Sequence, residues 1–334
     1  MTSFRPIADV AGAGSGGEFD PRVATRRRRV ATAIVIAALV VLAGIGGAFT
    51  PTFLTFDNLL VVIRQASITG VIALGMSYVT ISGNLFALSA EELAILTACI
   101  FGWLMRAKFG LALSLIATLL FAGLGGAVQG GIIALGADPI ITTLAFGGFF
   151  RGLASVVSQN QNILLGTDAA QWLGTGRPLG VPTQSWAFLI LTPLAWIVLQ
   201  KTRIGRVLVL AGANRAAARS AGLRVGQAAL LGLTLLGLCC GLAGISAAAQ
   251  FGQAVANLFQ GLNFDVVAAV LVGGIALRGG QGSPIQAALG AAFIALLQNF
   301  MLLNDFSSGW RMTVVGSLVA LATCLFHILQ RRRE

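Results

Sequence analysis

The stretch GQAALLGLTLLGLCCGLAGISAA at residues 226–248 carries no charged side chain, and it decides how the rest of the chain is interpreted. A transmembrane helix needs about 20 consecutive apolar residues, because it must cross a hydrocarbon core about 30 Å thick. This stretch meets that requirement, and its glycines and alanines are small enough for close helix packing. It predicts a membrane-spanning helix.

The composition extends this interpretation to the whole chain. Of the 334 residues, 57% are hydrophobic and only 10% are charged, and the mean hydropathy is +0.89. A soluble domain carries about 25% charged residues, so this chain has too few to cover a soluble surface. Soluble enzymes, disordered chains, collagens and coiled coils are excluded. The sequence predicts an all-α integral membrane protein.

Apolar runs recur along the chain and predict a polytopic bundle of about ten transmembrane helices. The amphipathic segment 55–65 is expected to lie at the membrane interface, residues 84–89 form a polar break, and residues 159–184 form a polar loop. The predicted spans are 30–49, 66–82, 89–105, 109–135, 139–158, 185–200, 226–248, 264–278, 284–303 and 309–329.

The net charge of +11 does not indicate nucleic-acid binding, because the basic residues are gathered beside apolar runs. Their three clusters lie at residues 26–29, 201–224 and 331–333. Basic residues that flank membrane spans mark the cytoplasmic side. With ten spans, all three clusters and both termini are predicted to be cytoplasmic. Arg106 and Lys108 conflict with this unless two outer charges are tolerated or one early span is re-entrant.

The charge pattern also divides the chain. Residues 1–29 are predicted to be a disordered, basic cytoplasmic tail, since they are rich in Gly, Ala and Ser. Residues 30–330 form a single transmembrane domain that contains a cytoplasmic loop at 201–225, and residues 331–334 form a second basic tail. Glycines spaced by four, as in Gly126/Gly130 and Gly237/Gly241, predict close helix packing or a dimer seam.

The sequence lacks the residue patterns that catalysis or metal binding requires. The single histidine, His327, has no carboxylate within helical reach, and no HExxH or GxSxG pattern is present. The glycine-rich residues 273–282 lack the Lys-Ser/Thr of a phosphate-binding loop. We therefore expect no enzyme activity, metal or bound cofactor. Arg151, the charge predicted inside a span, is interpreted as a snorkelling or capping residue.

The basic loop contains a short helix by local rules. Asn214 is a good N-cap, the Ala-rich residues after it favour helix, and Gly222 is suited to end it. The sequence predicts a two-turn helix over residues 214–221. On physical grounds alone this helix either holds the loop against lipid headgroups or contacts a partner.

The loop also carries motifs, which read Thr202-x-Ile204-Gly205-Arg206, Gly212-x-Asn214-x-x-Ala217-Ala218 and Gly222-Leu223. Further stretches are Phe53-Leu-Thr55-x-x-Asn58-Leu59, Gly70-x-x-Ala73-Leu74-Gly75-Met76, Pro139-Ile-Ile-Thr142 with Arg151-Gly152-Leu153-Ala154, and Phe264-Asp265-x-x-Ala268-Ala269 with Gly273-Gly274 and Gly279-Gly280-x-Gly282-Ser283. Together these stretches resemble the permease subunits of ABC importers of the ribose/xylose/galactofuranose/autoinducer-2 type. The resemblance covers about residues 50–330, in the family's order.

The resemblance implies a transmembrane subunit of a bacterial inner-membrane importer for a sugar or sugar-like solute. It implies as partners a second permease chain, identical or not, separate ATPase chains that hold ATP and Mg²⁺, a soluble binding protein and membrane lipid. The loop helix would dock on the ATPase and couple it to the pore. The residues implied in this coupling are Gly205, Arg206, Gly212, Asn214, Arg215, Ala217, Ala218, Arg219 and Gly222, and the arginines, Arg224 included, would pair with acidic residues of the ATPase.

One segment departs from the family pattern. Members carry Gly-Gly-Ile-Asp-Leu-Ser-Val-Gly after the second span, whereas residues 82–89 here read SGNLFALS, without an acidic residue. The departure leaves the solute open. The polar and aromatic residues expected along its path are Asn84, Phe86, Gln250, Asn257 and Gln260. The alternatives are a permease for branched-chain amino acids or nucleosides, a secondary carrier that works alone, and a membrane enzyme, which the missing catalytic motifs disfavour.

Overall fold

The computed structural model describes residues 21–166, 168–255, 259 and 261–331, and the described chain is almost entirely helical. Two short strands, β1 (Ile163–Leu164) and β2 (Gln253–Ala254), pair antiparallel, and a 3-10 turn spans Pro178–Gly180. The helices are α1 (Pro21–Phe49), α2 (Phe56–Ile81), α3 (Ala90–Arg106), α4 (Leu111–Ala134), α5 (Pro139–Ser158), α6 (Asp168–Thr175), α7 (Thr183–Lys201), α8 (Arg203–Ala213), α9 (Arg215–Ser220), α10 (Val225–Phe251), α11 (Leu262–Val272), α12 (Pro284–Leu303) and α13 (Ser308–Arg331).

The predicted membrane bundle is confirmed. Within the described ranges, seven helices are long and apolar enough to cross a membrane, namely α1, α2, α4, α5, α7, α10 and α12. The three remaining predicted spans correspond to α3, α11 and α13. Helices α3 and α11 have only 17 and 11 residues, because each begins inside the bundle after an irregular segment.

Three predicted boundaries are wrong, and one helix was not predicted. Helix α2 is continuous from Phe56, so residues 55–65 do not form a separate interfacial segment. Helix α1 begins at Pro21, which makes residues 21–29 helical rather than part of a disordered tail. Helix α11 ends at Val272, well before residue 278. The basic loop contains a further helix, α8, because its apolar residues pack on the bundle while its arginines remain exposed.

The two ends of the bundle are distinguished by α10. Helix α9 precedes its first residue, and β2 follows its last, so these elements mark the α9 end and the opposite end. The last turn of α3 packs on β1 and β2, since a Cβ at Gly102 would lie 3.1 Å from the Ala254 Cβ. Arg106 and Lys108 therefore lie at the opposite end, where both are exposed.

Helices α2, α10 and α12 form the centre of the bundle, and α4 lies along α10. A Cβ at Gly126 of α4 would overlap the Leu233 carbonyl oxygen, and one at Gly237 of α10 would overlap that of Ala122. The glycines spaced by four thus allow the backbones of α4 and α10 to meet, as the sequence predicted.

We expect the Gly126→Ala substitution to lower the melting temperature of the detergent-solubilised protein by several degrees. The added methyl group forces α4 away from α10, and overpacking of this kind costs about 1–3 kcal/mol. Gly131→Ala on the same helix is the matched control, because a Cβ there meets nothing within 4 Å. Equal melting temperatures for the two variants would contradict the close approach of α4 and α10.

Candidate functional site

Helix α9 is stabilised by hydrogen bonds at both of its ends. The Asn214 side chain accepts a hydrogen bond from the Ala217 N–H at 3.0 Å, which is the predicted N-cap. At the other end Gly222 adopts φ 78, and the Leu223 N–H donates to the Ala218 carbonyl at 2.9 Å. These bonds satisfy groups that a helix end leaves free. The short helix is confirmed, with bounds one residue inside those predicted at each end.

The residues predicted to couple the chain to an ATPase lie at the α9 end, on α8, on α9 and beside them. Three members of this group are buried against the bundle, namely Gly205, Gly212 and Ala218. Their small size allows the helices to pack closely. The exposed members are Arg206, Asn214, Arg215, Ala217, Arg219 and Gly222. Helix α8 is held to α7 by Thr202, whose hydroxyl donates to the Val198 carbonyl at 2.6 Å and accepts from the Gly205 N–H at 3.3 Å.

Four glycines form a junction where three segments meet. The Gly280 N–H donates at 2.8 Å to the carbonyl of Ile81, which is the last residue of α2. A Cβ at Gly212 would overlap that same carbonyl and lie 2.6 Å from the Gly280 nitrogen. A Cβ at Gly279 would lie 2.7 Å from the Gly83 Cα. We call Gly83, Gly212, Gly279 and Gly280 the glycine junction, since a Cβ at any of the last three would clash with the backbone of a neighbouring segment.

Arg215 crosses this junction. Its Nη2 donates to the Gly83 carbonyl at 2.9 Å and to the Asn84 Oδ1 at 2.6 Å. Asn84 in turn donates from its Nδ2 to the Ser82 hydroxyl at 2.8 Å, and Ser82 donates to the Val79 carbonyl at 2.7 Å. A continuous hydrogen-bonded chain therefore runs from the first residue of α9 into α2.

The segment 82–89 between α2 and α3 is irregular but fixed. Leu85 adopts φ 57, a left-handed conformation that costs a non-glycine residue about 1–2 kcal/mol. Its carbonyl accepts from the Thr80 hydroxyl at 2.9 Å, and the Leu88 N–H donates to the Thr143 hydroxyl at 3.2 Å. Backbone strain of this kind persists only where surrounding contacts impose it. The predicted polar break is thus a held, non-helical segment within the bundle.

The first turns of α3 and α11 cap one another. The Glu91 N–H donates to the Asn263 Oδ1 at 3.1 Å, and the Asn263 N–H donates to the Glu91 Oε2 at 3.0 Å. Asn263 also donates from Nδ2 to the Leu88 carbonyl at 3.0 Å and to the Glu92 Oε2 at 3.3 Å. Ser89, which precedes α3, makes no side-chain cap, and Gly261, which precedes α11, has no side chain that could make one. We call this arrangement the α3–α11 cross-cap.

The cross-cap is the charged centre of the bundle. Gly147, midway along α5, faces Glu92, since a Cβ at that glycine would lie 3.7 Å from the Glu92 Oε2. Arg151 lies one turn further along α5, where its charge acts on Glu91. The sequence pattern pointed to Arg151 as the charge within a span, whereas Glu91 and Glu92 were missed. The signal was available, since the pair opens the predicted third span, and ionisable residues inside a membrane mark functional sites.

Of the residues predicted to line the solute path, Asn84 and Phe86 lie together in the segment 82–89, and Gln250 lies far from them. Asn84 is 4% exposed and both its amide atoms are bonded within the chain, which does not fit the prediction that it contacts solute. Phe86 packs half-buried against the core. Gln250 lies 18 residues along α10 from Gly232, which neighbours Ser82, or about 27 Å away. Asn257 and Gln260 lie outside the described residues.

A cavity of about 440 Å³ opens between α11, α12 and α13, beside the cross-cap. Its polar lining includes Asp265, which accepts from the Gln298 Nε2 at 2.7 Å, and Arg311. Phe264, 60% exposed, provides an aromatic face at its rim. Within the ranges that the structure describes, no group of three or more His, Cys, Asp or Glu residues is placed to hold a metal ion.

Several known proteins are similar to this chain over most of its length. The ribose import permease protein RbsC of Escherichia coli strain K12 is 32% identical over 292 residues, which is 86% of this chain and 91% of that protein. The autoinducer 2 import system permease protein LsrC of Photorhabdus luminescens is 30% identical over 303 residues, 90% of each chain. RbsC of Bacillus subtilis is 30% identical over 278 residues, 82% of this chain and 86% of that protein. No solved structure gave a significant match.

A family model covers most of the described chain as well. It matches residues 58–324, which include the glycine junction, α9 and the cross-cap. The similarity therefore spans the bundle from α2 into α13 rather than a single motif. The chain belongs to the family of membrane permeases described as the permease component of the branched-chain amino acid transport system.

Proposed function

We propose that this chain is the pore-forming permease subunit of an ABC importer for a sugar or a sugar-like solute. The observation that carries the proposal is the near full-length similarity to relatives that are named ribose and autoinducer 2 import permeases. The fold supports the proposal, because a helical bundle provides a path for solute, and the short exposed helix at one end provides a surface on which an ATPase can dock.

The orientation that we propose places the α9 end in the cytoplasm of a bacterial inner membrane. Five arginines of the basic loop are exposed at that end, and positive charge collects on the cytoplasmic side. Since ten spans return the chain to its starting side, both termini would also be cytoplasmic. These arginines are Arg203, Arg206, Arg215, Arg219 and Arg224, and Lys201 adds a sixth exposed positive charge.

The ATPase would dock on α9, and the solute-binding protein would dock at the opposite end. Ala218 faces the bundle at 5% exposure, whereas Ala217 and Arg219 face outward on the same helix. An acidic cleft on the ATPase would complement this surface. ATP and Mg²⁺ would be held by the ATPase, and this chain would catalyse no reaction. A second permease chain, identical or not, would complete the pore.

The path for the solute would pass the charged centre of the bundle. In the cross-cap, the first turns of α3 and α11 are hydrogen-bonded to one another. The nearby cavity is lined by polar groups and by the aromatic ring of Phe264. Such a lining suits a neutral polyhydroxy solute, which needs weak polar contacts and an aromatic face. Of the residues predicted from sequence, Phe86 and Gln250 remain candidates, and Asn257 and Gln260, which lie outside the described residues, stay predictions.

Reconstitution into proteoliposomes with the ATPase and binding protein of its own host tests the proposal. We expect ATP-dependent uptake of a labelled pentose such as ribose, and none when either partner is omitted. Uptake of labelled leucine instead would establish the amino-acid alternative. Uptake driven by an ion gradient without the ATPase would establish a secondary carrier.

Charge reversal on α9 tests the docking surface. We expect Arg219→Glu to reduce the amount of ATPase that copurifies with the chain in mild detergent by about tenfold, because it replaces attraction with repulsion at an interface. Arg106→Glu is the matched control, since Arg106 is equally exposed but lies at the opposite end. Equal retention of the ATPase by the two variants would exclude Arg219 from the docking surface.

A further inference from the structure

We propose that Arg215 is the positioning residue that couples α9 to the centre of the bundle, by clamping the segment 82–89 through Gly83 and Asn84. The inference rests on the proposed docking of an ATPase at α9. It assigns Arg215 a different role from that of Arg219, although both are exposed arginines on the same short helix.

The first argument is the place of Arg215 in α9. It is the first residue of the helix, where the free N–H groups make the local potential positive. A cation there is disfavoured by the helix itself, so its interactions must be sought outside α9. The structure shows them, because one guanidinium nitrogen reaches two oxygens of the segment 82–89, at 2.9 Å and 2.6 Å.

The second argument is that both acceptors are prepared for this contact. Gly83 adopts φ 79, which ends α2 and leaves its carbonyl outside the helical hydrogen-bond ladder. Asn84 is held by its bond to Ser82, so its Oδ1 is fixed toward Arg215. The glycine junction keeps α8 against α2 at the same point. The arginine thus bridges two elements that are already in close contact.

The third argument is what the clamped segment connects. Residues 82–89 lead directly into α3, whose first turn forms the cross-cap with α11. Leu85 within the segment holds a left-handed conformation, which the surrounding contacts impose, so the segment is held rather than relaxed. A displacement of α9 would pull on Gly83 and Asn84, and the segment would transmit it to the charged centre of the bundle.

The structure also separates Arg215 from its neighbour on α9. Among the described residues, no hydrogen bond joins the Arg219 side chain to the rest of the chain, and the helix presents it outward. Arg215 should therefore act on coupling, and Arg219 on docking. An Arg215→Lys variant keeps the charge, but its side chain is shorter, so its ammonium group is not expected to reach the two acceptors.

The experiment measures copurification of the ATPase and the amount of solute imported per ATP hydrolysed, in proteoliposomes with both partner proteins. We expect Arg215→Ala to retain the ATPase but to lower import per ATP by about tenfold, the size expected for a hydrogen bond to a charged group. Asn84→Ala should give part of this loss, because Arg215 keeps its bond to the Gly83 carbonyl, and the double variant should be no worse than Arg215→Ala alone. Asn84→Asp should retain coupling, since it keeps the acceptor.

The contrasting variant is Arg219→Ala, which should reduce retention of the ATPase while the complexes that remain import normally per ATP. Full import per ATP in Arg215→Ala, or strictly additive losses in the double variant, would overturn the clamp. Loss of coupling in Asn84→Asp equal to that in Asn84→Ala would overturn it as well. Failure of any ATPase to copurify with the unmodified chain would instead refute the proposed function, so the two failures are distinguishable.

Discussion

Replacing Asn263 with leucine is expected to reduce the stability of the protein sharply and to abolish uptake. The Asn263 side chain makes three hydrogen bonds, to the Glu91 N–H, the Leu88 carbonyl and the Glu92 carboxylate. Side-chain hydrogen bonds in membrane proteins contribute about 0.6–1.7 kcal/mol each. Loss of all three should therefore cost roughly 2–5 kcal/mol, and it removes the side-chain cap from the first turn of α3.

The measurement is the melting temperature in detergent, followed by uptake in proteoliposomes. Glu91→Gln provides a graded comparison, because its remaining oxygen can still accept from the Asn263 N–H, and it should be milder than Glu91→Ala. Asn162→Leu serves as the control, since Asn162 is exposed and makes only a 3.5 Å contact with Gln253. A melting temperature for Asn263→Leu no lower than that of Asn162→Leu would show that the cross-cap does not stabilise the bundle.

Gly212→Ala is expected to abolish ATP-driven uptake although it adds a single methyl group. The new Cβ would overlap the Ile81 carbonyl and crowd the Gly280 nitrogen, which are the two ends of a 2.8 Å hydrogen bond. Helix α8 must then move away from α2, and Arg215 moves with it because it follows α8 by two residues. Overpacking against backbone costs about 1–3 kcal/mol, since neither carbonyl nor amide can rotate away.

Uptake and ATPase retention should be measured together for this variant. We expect retention to fall less than uptake, since the outward face of α9 is unchanged. Gly148→Ala is the matched control, because a Cβ at that position on α5 meets nothing within 4 Å. Normal uptake by Gly212→Ala would mean that the contact between α8 and the end of α2 is not needed for transport.

The predicted spans show which helix boundaries can be read from the sequence and which cannot. The fifth and ninth predicted spans have the observed bounds of α5 and α12, because a proline at the first helical position marks each start. The second span was predicted too short, because Asp57 and Arg64 made the first turns of α2 look interfacial. These side chains occupy the α2 surface near one end, where a continuous helix tolerates them.

In the candidate site too, contacts between neighbouring residues could be predicted from the sequence, whereas contacts between distant residues could not. The N-cap of α9 and its glycine stop were predicted correctly, since both depend on bonds between residues three to five apart. Asn84 was recognised as unusual but expected to contact solute. Its bond to Arg215 joins residues 131 positions apart, and no local pattern contains that information.

The sequence by itself determined that this chain is a helical membrane protein, where most of its spans lie and that a short capped helix interrupts the basic loop. Each of these depends on apolar length or on neighbouring residues, which the order of amino acids states directly. Only the tertiary structure decided the partners of Arg215 and the cross-cap of Glu91 with Asn263, 172 residues apart. In both cases polar groups left free at helix ends are satisfied by distant segments, and packing of the whole bundle determines which segments those are.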